Sequence, residues 1–244
     1  MTMLSVNLNK IALLRNSRGS DFPSVTAFAA HSIHLGAQGI TIHPRPDERH
    51  ITRDDARQLS QLIAQHPNVE LNIEGFPSPR FVKLVAECKP AQVTLVPDGP
   101  NQITSDHGWQ ATEYYEFLQM MLPPLKAASG RVAVFMDADI QQIEALKGLA
   151  VDRIELYTEE YANAFKQDKY TETLARYKQA AQTAQSLGFG VNAGHDLNLA
   201  NLSEFLSIEK ILEVSIGHAL IVESLSVGWD NVIKNYLQIC KTGH

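Results

Sequence analysis

The chain has 244 residues, of which 44% are hydrophobic and 20% are charged, and its formal net charge at pH 7 is −6. These values are typical of a globular protein with a sizeable core, and the length suits one large domain or two small ones. The negative charge excludes a broad basic surface for nucleic acid or an anionic membrane, so an anionic ligand would need a local cluster of cations.

Short apolar segments, each expected to form a β-strand, alternate along the chain with longer segments of helical periodicity. In chain order, the predicted strands cover residues 4–9, 39–44, 69–75, 91–97, 131–139, 153–158, 190–195 and 211–218. Strand–helix units repeated without a linker predict an α/β protein, a (β/α)8 TIM barrel that forms a single domain over residues 1–244. A doubly wound open sheet is the alternative architecture.

Two of the predicted connections, residues 98–111 and 159–170, are longer than the others and follow the fourth and sixth strands. Both leave the carboxyl ends of strands, where barrels keep their active sites, so we expect them to act as active-site lids. Thr52 with Asp55, and Thr112, have the sequence pattern of amino-terminal helix caps. Neither GxGxxG nor GxxxxGK[ST] occurs, which removes the main support for binding of a dinucleotide or a nucleoside triphosphate.

Polar side chains collect at the carboxyl ends of the predicted strands, which meet at one mouth in a barrel. They are Asn7, Asn9, Lys10, Arg15 and Arg18 around the first strand end, His43, Arg45 and His50 after the second, Glu70, Asn72 and Glu74 on the third, Asp137 and Asp139 on the fifth, Glu155 on the sixth, Asn192 and His195 on the seventh, and His218 on the eighth. Each one alone has an ordinary explanation, since an aspartate such as Asp139 can cap a helix and an arginine such as Arg15 is usually solvated. Their convergence from several strands is better explained by an active site, where neighbouring groups separate into acids and bases.

The residue types at this mouth favour phosphate over a metal ion. No HxH pair occurs on a strand, and Lys10, Arg18 and Arg45 would repel a divalent cation. A guanidinium suits a phosphate group, and Gly217 and His218 supply backbone N–H groups where barrels commonly bind phosphate. The sequence therefore predicts a site without a metal that binds phosphorylated small molecules.

Longer motifs connect the chain to a known family. They are VNLNKIALLRNSRG (6–19), GAQGITIHPRPDERHI (36–51), VELN (69–72), KPAQVTLVPD (89–98), FMDAD (135–139), IELYT (154–158), VNAGHDLN (191–198) and SIGHALI (215–221). The motifs follow the expected order over nearly the whole chain, and the combination of HPRPDERHI, VNAGH and IGHA is very specific. The chain resembles the pyridoxine 5′-phosphate synthase family of vitamin B6 biosynthesis.

The resemblance implies a (β/α)8 barrel with extra helices and a ring-closing condensation. The implied substrates are 1-deoxy-D-xylulose 5-phosphate and 3-amino-2-oxopropyl phosphate, and the implied products are pyridoxine 5′-phosphate, inorganic phosphate and water. The family uses neither a metal nor an organic cofactor. Its members are typically homo-octamers built as a tetramer of dimers.

Motif by motif, the resemblance also implies a role for individual residues. His43 and Glu70 match the acid/base pair, His195 matches the general acid, and Glu155 matches a carboxylate that stabilises cationic intermediates. The implied substrate-binding residues are Asn7, Asn9, Lys10, Arg18, Arg45, His50, Thr104, Asp196, Gly217 and His218.

Three positions depart from the family's commonest motifs, since Asn9 and Lys10 replace Asp and His, and Asp196 replaces Gly. Asn9 can hydrogen-bond a hydroxyl group but cannot act as a base, and Lys10 adds a cation. These changes predict a variant binding pocket that keeps its activity. The alternatives are another phosphosugar-processing barrel enzyme, such as an isomerase or a Schiff-base aldolase using Lys10, and a non-catalytic phosphate-binding module, which would leave the acid/base residues without a role.

The sequence also carries information about the compartment. Cys88 and Cys240 are the only cysteines and form no CxxC pair, so neither a disulfide framework nor a structural zinc site is expected. The first residues lack the layout of a signal peptide, and no apolar run approaches the ~20 residues of a membrane span. We therefore expect a soluble cytoplasmic protein.

Overall fold

Each predicted strand segment forms a strand in the computed structural model, which describes residues 1–99, 102 and 104–242. The strands are β1 (Met3–Asn7), β2 (Gly39–Ile42), β3 (Glu70–Gly75), β4 (Gln92–Leu95), β5 (Arg131–Met136), β6 (Arg153–Tyr157), β7 (Gly190–Gly194) and β8 (Ile211–Ile216). Neighbouring strands are parallel, and β8 pairs with β1, which closes the sheet into a barrel. The closed order confirms the (β/α)8 barrel and excludes the doubly wound sheet.

One or two helices follow each strand and cover the outside of the barrel. They are α1 (Asn9–Asn16), α2 (Val25–His34), α3 (Arg53–Ile63), α4 (Pro79–Cys88), α5 (Tyr115–Ala128), α6 (Ile140–Ala145), α7 (Glu159–Lys166), α8 (Tyr170–Ser186), α9 (Leu202–Phe205), α10 (His218–Val227) and α11 (Trp229–Thr242). The strands β1, β6 and β8 are each followed by two helices, which accounts for the extra helices that the resemblance implied. In the described part of the chain, no helix is long and apolar enough to cross a membrane.

The barrel wall is apolar on its outer face and polar on its inner face, because side chains alternate along each strand. Outward residues such as Ile40, Ile73 and Val134 are fully buried and belong to the main hydrophobic core. Inward residues such as Thr94 and Asn192 are also buried, and they hydrogen-bond to polar side chains of other strands. Apolar positions therefore hold the barrel to its helices, while the polar positions between them point to the barrel axis.

Local sequence signals give one helix start correctly and miss another. Thr52 and Asp55 form the predicted capping box at the start of α3. The prediction that Thr112 caps a helix is wrong, because α5 begins only after Tyr114. The Thr112 hydroxyl instead donates to the side-chain oxygen of Gln142 (3.2 Å).

Two expectations about segments near the mouth are also corrected. Asn9 and Lys10 begin α1, although the sequence placed Asn9 at the end of the first strand. Most of segment 159–170 forms α7, which packs through the fully buried Tyr161, so this segment is not a long loop. In the other long segment, 98–111, residues 100, 101 and 103 lie outside the described residues.

Candidate active site

A cavity of about 270 Å³ opens at the carboxyl ends of the strands, at the mouth of the barrel. The predicted site residues that line it are Asn7, Asn9, Lys10, His43, Arg45, His50, Thr104, Glu155, His195, Asp196, Gly217 and His218. Glu74 also lines the cavity, although the motifs had assigned it no role. The structure therefore brings most of the predicted residues together and adds one carboxyl group to them.

His43 and Glu74 face each other at the inner wall of the cavity. The His43 backbone N–H donates to Asn9 Oδ1 (2.8 Å), and His43 Nδ1 lies 4.0 Å from Glu74 Oε2. Burial lowers the pKa of His43 well below its usual range, and the nearby Arg45 guanidinium lowers it further. Burial raises the pKa of Glu74 well above its usual range, and the neighbouring Glu155 carboxyl raises it further. A neutral imidazole therefore stands beside a carboxyl group that favours its protonated form.

Glu155 projects from β6 into the same part of the cavity and is almost fully buried. Burial raises the pKa of Glu155 to about 8, although the Thr94 hydroxyl donates to its Oε2 (3.3 Å) and opposes that shift. Gly194 on the neighbouring strand leaves room for this carboxyl group, since a Cβ at position 194 would overlap Oε1. Glu155 can therefore gain or lose a proton close to neutral pH.

Cationic and polar groups from α1 and from the segment after β2 form one side of the cavity. The buried Arg45 guanidinium lies 3.2 Å from the Asp98 carboxylate. His50 accepts a hydrogen bond at Nδ1 from the Ile51 backbone N–H (2.9 Å), so its ring carries a proton on Nε2. Burial lowers the pKa of His50 to about 4, and Arg45 and Lys10 contribute to the same shift. This side offers hydrogen-bond donors and positive charge to an anion.

The start of α10 lines another part of the cavity, next to the side formed from α1, because β8 pairs with β1. Gly217 and His218 lie where β8 passes into this helix, and both line the cavity. Gly217 lets Asn7 approach closely, because a Cβ at position 217 would lie 3.1 Å from the Asn7 Cβ. The unpaired N–H groups of a first helical turn and the helix dipole favour an anion at such a position.

His195 follows β7, and its ring is contacted on three sides. Nδ1 lies 2.8 Å from Asp196 Oδ2, and Nε2 lies 3.1 Å from Thr104 Oγ1. The ring also packs edge-on against Tyr157, with 4.9 Å between the centroids. The Thr104 contact brings the segment after β4 across the mouth to β7. That this segment acts as a lid stays a prediction.

Two predicted site residues lie outside this cavity. Glu70 is the first residue of β3, at the amino-terminal end of the barrel, where its carboxylate accepts hydrogen bonds from Arg131 (Nη1 to Oε1, 3.0 Å). The structure contradicts the placement of Glu70 at the mouth, because β3 presents Glu74 there. Arg18 follows α1 with an exposed side chain and does not line the cavity. Strand direction could have identified Glu74, since residues 70, 72 and 74 share one face and only the last is near the carboxyl end.

Some of the other strand-end charges have structural roles. Asp139 caps α6 by accepting a hydrogen bond from the Gln141 backbone N–H (2.9 Å). Arg15 forms an ion pair with Asp55, with Nη2 at 2.8 Å from Oδ2. Among the described residues, no group of three or more His, Cys, Asp or Glu side chains is arranged to hold a metal ion.

Comparison with known proteins extends the sequence resemblance. The family model described as "Pyridoxal phosphate biosynthesis protein PdxJ" matches residues 4–242. The chain belongs to this family. The pyridoxine 5′-phosphate synthase of Bacteroides thetaiotaomicron is 49% identical over 237 residues, which cover 97% of this chain and 98% of that protein. The synthase of Christiangramia forsetii is 47% identical over 242 residues, which cover 99% of this chain and all of that protein. These relatives confirm the resemblance that the sequence motifs indicated, and they show that the chain belongs to a family of enzymes.

Solved structures show the same fold as this PdxJ chain at much lower identity. The 3-keto-L-gulonate-6-phosphate decarboxylase of Vibrio cholerae aligns with a TM-score of 0.66 and 13% identity, covering 100% of this chain and 99% of that one. The 3-hexulose-6-phosphate synthase of Salmonella typhimurium aligns with a TM-score of 0.66 and 12% identity, covering 100% of both chains. At these identities the likeness concerns the barrel fold alone.

Proposed function

We propose that the protein condenses 1-deoxy-D-xylulose 5-phosphate with 3-amino-2-oxopropyl phosphate to form pyridoxine 5′-phosphate, inorganic phosphate and water. The observation that carries the proposal is that one cavity brings His43, Glu74 and Glu155 together with two groups of residues suited to bind anions. Two phosphorylated substrates need two anion sites, and ring closure between them needs acids and bases held in place. Membership of the PdxJ family supports the same reaction.

Each side of the cavity is assigned to one phosphate group. Arg45 and Lys10 supply positive charge on the first side, and His50 Nε2–H supplies a hydrogen bond. Gly217 and His218 offer the start of α10 to the second phosphate. The phosphates would hold the reacting carbon and nitrogen atoms between them, over the carboxyl groups at the inner wall.

We assign the acid/base pair to His43 and Glu74, in place of Glu70. The neutral His43 ring can take a proton from the attacking amine or from a carbon next to a carbonyl group. The protonated Glu74 carboxyl can give a proton to the carbonyl oxygen as the amine adds, and a second proton, which the nitrogen loses, lets the resulting hydroxyl group leave as water when the imine forms. The opposite pKa shifts of the two groups support this division.

Glu155 and His195 complete the proposed machinery. When Glu155 is ionised, its buried carboxylate can stabilise positive charge on an imine nitrogen, because charges interact strongly away from water. His195 Nε2 faces the cavity near Thr104 and can protonate a departing oxygen. The reaction as proposed uses neither a metal nor an organic cofactor.

The proposal extends to a homo-octamer, a tetramer of dimers, located in the cytoplasm. Large apolar side chains are exposed on α1, on α10 and between α1 and α2, including Leu14, Leu225 and Phe22, and association would cover them. The free and buried Cys88 and Cys240 fit a reducing compartment. Light scattering on the purified protein tests the assembly, and a monomer at micromolar concentration would contradict it.

The test of the reaction is turnover by purified protein. The protein is treated with EDTA and mixed with both phosphates, and fluorescent pyridoxine phosphate and released inorganic phosphate are measured. We expect the two products in equal amounts, and the absence of both would overturn the proposal.

Borohydride trapping distinguishes this reaction from that of a Schiff-base aldolase. An aldolase would form an imine between its lysine and the substrate, which borohydride reduces to a stable adduct. We expect mass spectrometry to find no adduct on Lys10, and a stoichiometric adduct there would favour the aldolase.

A further inference from the structure

The Asp196 side chain contacts the ring of His195, and binding of a substrate does not explain this contact. The hydrogen bond between His195 Nδ1 and Asp196 Oδ2 (2.8 Å) is the main cause that holds the pKa of Asp196 below its usual range, and Lys166 and His218 act in the same direction. An ionised carboxylate can only accept hydrogen bonds, so a neutral His195 ring carries its proton on Nδ1. Nε2 is then the acceptor atom of the ring, 3.1 Å from Thr104 Oγ1.

The backbone at this pair adopts an uncommon conformation. The φ angle is +81° at His195 and +59° at Asp196, in the region that favours glycine, and such strain is about 1–3 kcal/mol for each residue. The Thr158 hydroxyl donates to the His195 carbonyl oxygen, and Asn201 Nδ2 donates to the Asp196 carbonyl oxygen (3.2 Å), which holds the turn in place. Glycine would adopt the turn with less strain, so the aspartate side chain contributes something that the backbone does not require.

We propose that Asp196 is a positioning residue, which fixes the tautomer and orientation of His195 so that Nε2 is the atom that exchanges a proton with the substrate. The inference rests on the proposed function, in which His195 is the general acid. The edge-on contact with Tyr157 holds the ring in the same orientation. The carboxylate also stabilises the positive charge that the ring carries when Nε2 is protonated. Asp196 acts through His195 and needs no contact with the substrate.

Two substitutions separate the carboxylate from the backbone. Asn and Gly both tolerate a left-handed φ, and neither has a carboxylate. Asp196→Asn and Asp196→Gly therefore keep the turn and remove the carboxylate. We expect kcat to fall about 10- to 100-fold in both variants, with KM within about 3-fold of the unmodified protein. An unchanged kcat in both variants, or a raised KM with unchanged kcat, would overturn the inference.

Asp168→Gly is the matched control. Asp168 lies between α7 and α8 with an exposed side chain, and its φ of +56° is close to that of Asp196. The control makes the same exchange in a similar backbone conformation at a residue that does not line the cavity, so kcat and KM should not change. A loss of kcat equal to that of Asp196→Gly would assign the effect to the glycine and overturn the inference.

A second measurement does not depend on turnover. In protein labelled with ¹⁵N-histidine, the His195 signals are assigned by comparison with His195→Gln. We expect the Nδ1-protonated tautomer in the unmodified protein and its loss in Asp196→Gly, and an Nε2-protonated ring in the unmodified protein would overturn the inference. The expected tautomers in a protein that forms no pyridoxine phosphate would count against the proposed function alone.

Discussion

Two glutamates on one strand of the barrel, Glu70 and Glu74, have opposite environments. Both lie on the inner face of β3, but Glu70 is at the floor, the amino-terminal ends of the strands, and Glu74 is at the mouth. The hydrogen bond from Arg131 holds the pKa of Glu70 below its usual range, whereas burial raises the pKa of Glu74 well above it. The same side chain is therefore ionised and paired at one end of the strand and favours its neutral form at the other.

The two ends differ because only the floor matches each carboxylate with a guanidinium. Glu213 lies 3.6 Å from Arg131 and 3.4 Å from Arg153, in addition to the pair between Arg131 and Glu70. At the mouth, Glu74 and Glu155 have no arginine or lysine within ion-pair distance among the described residues. Paired charges at the floor hold strands together, while unpaired carboxyl groups with shifted pKa values are suited to proton transfer.

The largest effect should come from Glu74. We expect Glu74→Gln to lower kcat by about 10²- to 10⁴-fold with a smaller change in KM, because an amide cannot transfer a proton. His43→Asn should behave in the same way. Steady-state kinetics with both substrates checks this, and an unchanged kcat with a raised KM would make either residue a binding group.

Glu70→Gln is the matched control at the other end of β3. We expect kcat within about 3-fold of the unmodified protein and a free energy of unfolding lower by about 1–3 kcal/mol, because Arg131 loses an ionised partner. Urea unfolding measures the second quantity. A fall in kcat equal to that of Glu74→Gln would show that the floor takes part in the reaction.

The pH dependence of stability should have opposite signs at the two ends. The pKa of Glu155 is raised from 4.5 to about 8, so the folded state binds more protons than the unfolded state between these values. The unmodified protein should therefore lose up to about 5 kcal/mol of stability relative to Glu155→Gln as the pH rises from about 4.5 to above 8. The lowered pKa of Glu70 predicts the reverse, a contribution that is lost as the pH falls through the acid range.

Urea unfolding of Glu155→Gln and the unmodified protein at pH 5 and pH 8.5 tests the first sign. A stability difference that does not change between these pH values would mean that Glu155 titrates alike in the folded and unfolded states.

We expect a smaller fall in kcat/KM when the contact between Thr104 and His195 is removed. Thr104→Ala removes the contact with His195 Nε2, a loss of about 1 kcal/mol that corresponds to about 5-fold in kcat/KM. Thr112→Ala removes a hydroxyl just after this segment, which bonds to Gln142 and does not line the cavity, so its kcat/KM should not change. Equal effects of the two substitutions would argue against a role of the Thr104 contact in the site.

The smallest effect should come from chelation. We expect kcat to be the same before and after exhaustive treatment with EDTA, because the mouth combines carboxyl groups with cations and offers no suitable ligand set among the described residues. Loss of activity that one added metal restores would contradict this expectation.

The sequence by itself determined the fold and most of the mouth. Alternation of apolar strands and amphipathic helices is a local pattern, and it specifies a barrel because each strand must bury its outer face under a helix. His43 and His195 could be placed at the mouth because both follow predicted strands, and all parallel strands of a barrel end on one side.

Only the tertiary structure decided which inward residues of neighbouring strands lie side by side. Glu70, Asn72 and Glu74 share one face of β3, and sequence periodicity does not distinguish among residues of one face. Register with the neighbouring strand does, since Glu70 pairs with Gly39, the first residue of β2, whereas His43 follows the last. The carboxyl group beside His43 is therefore that of Glu74, because position in a barrel is set by pairing between strands that are distant in the chain.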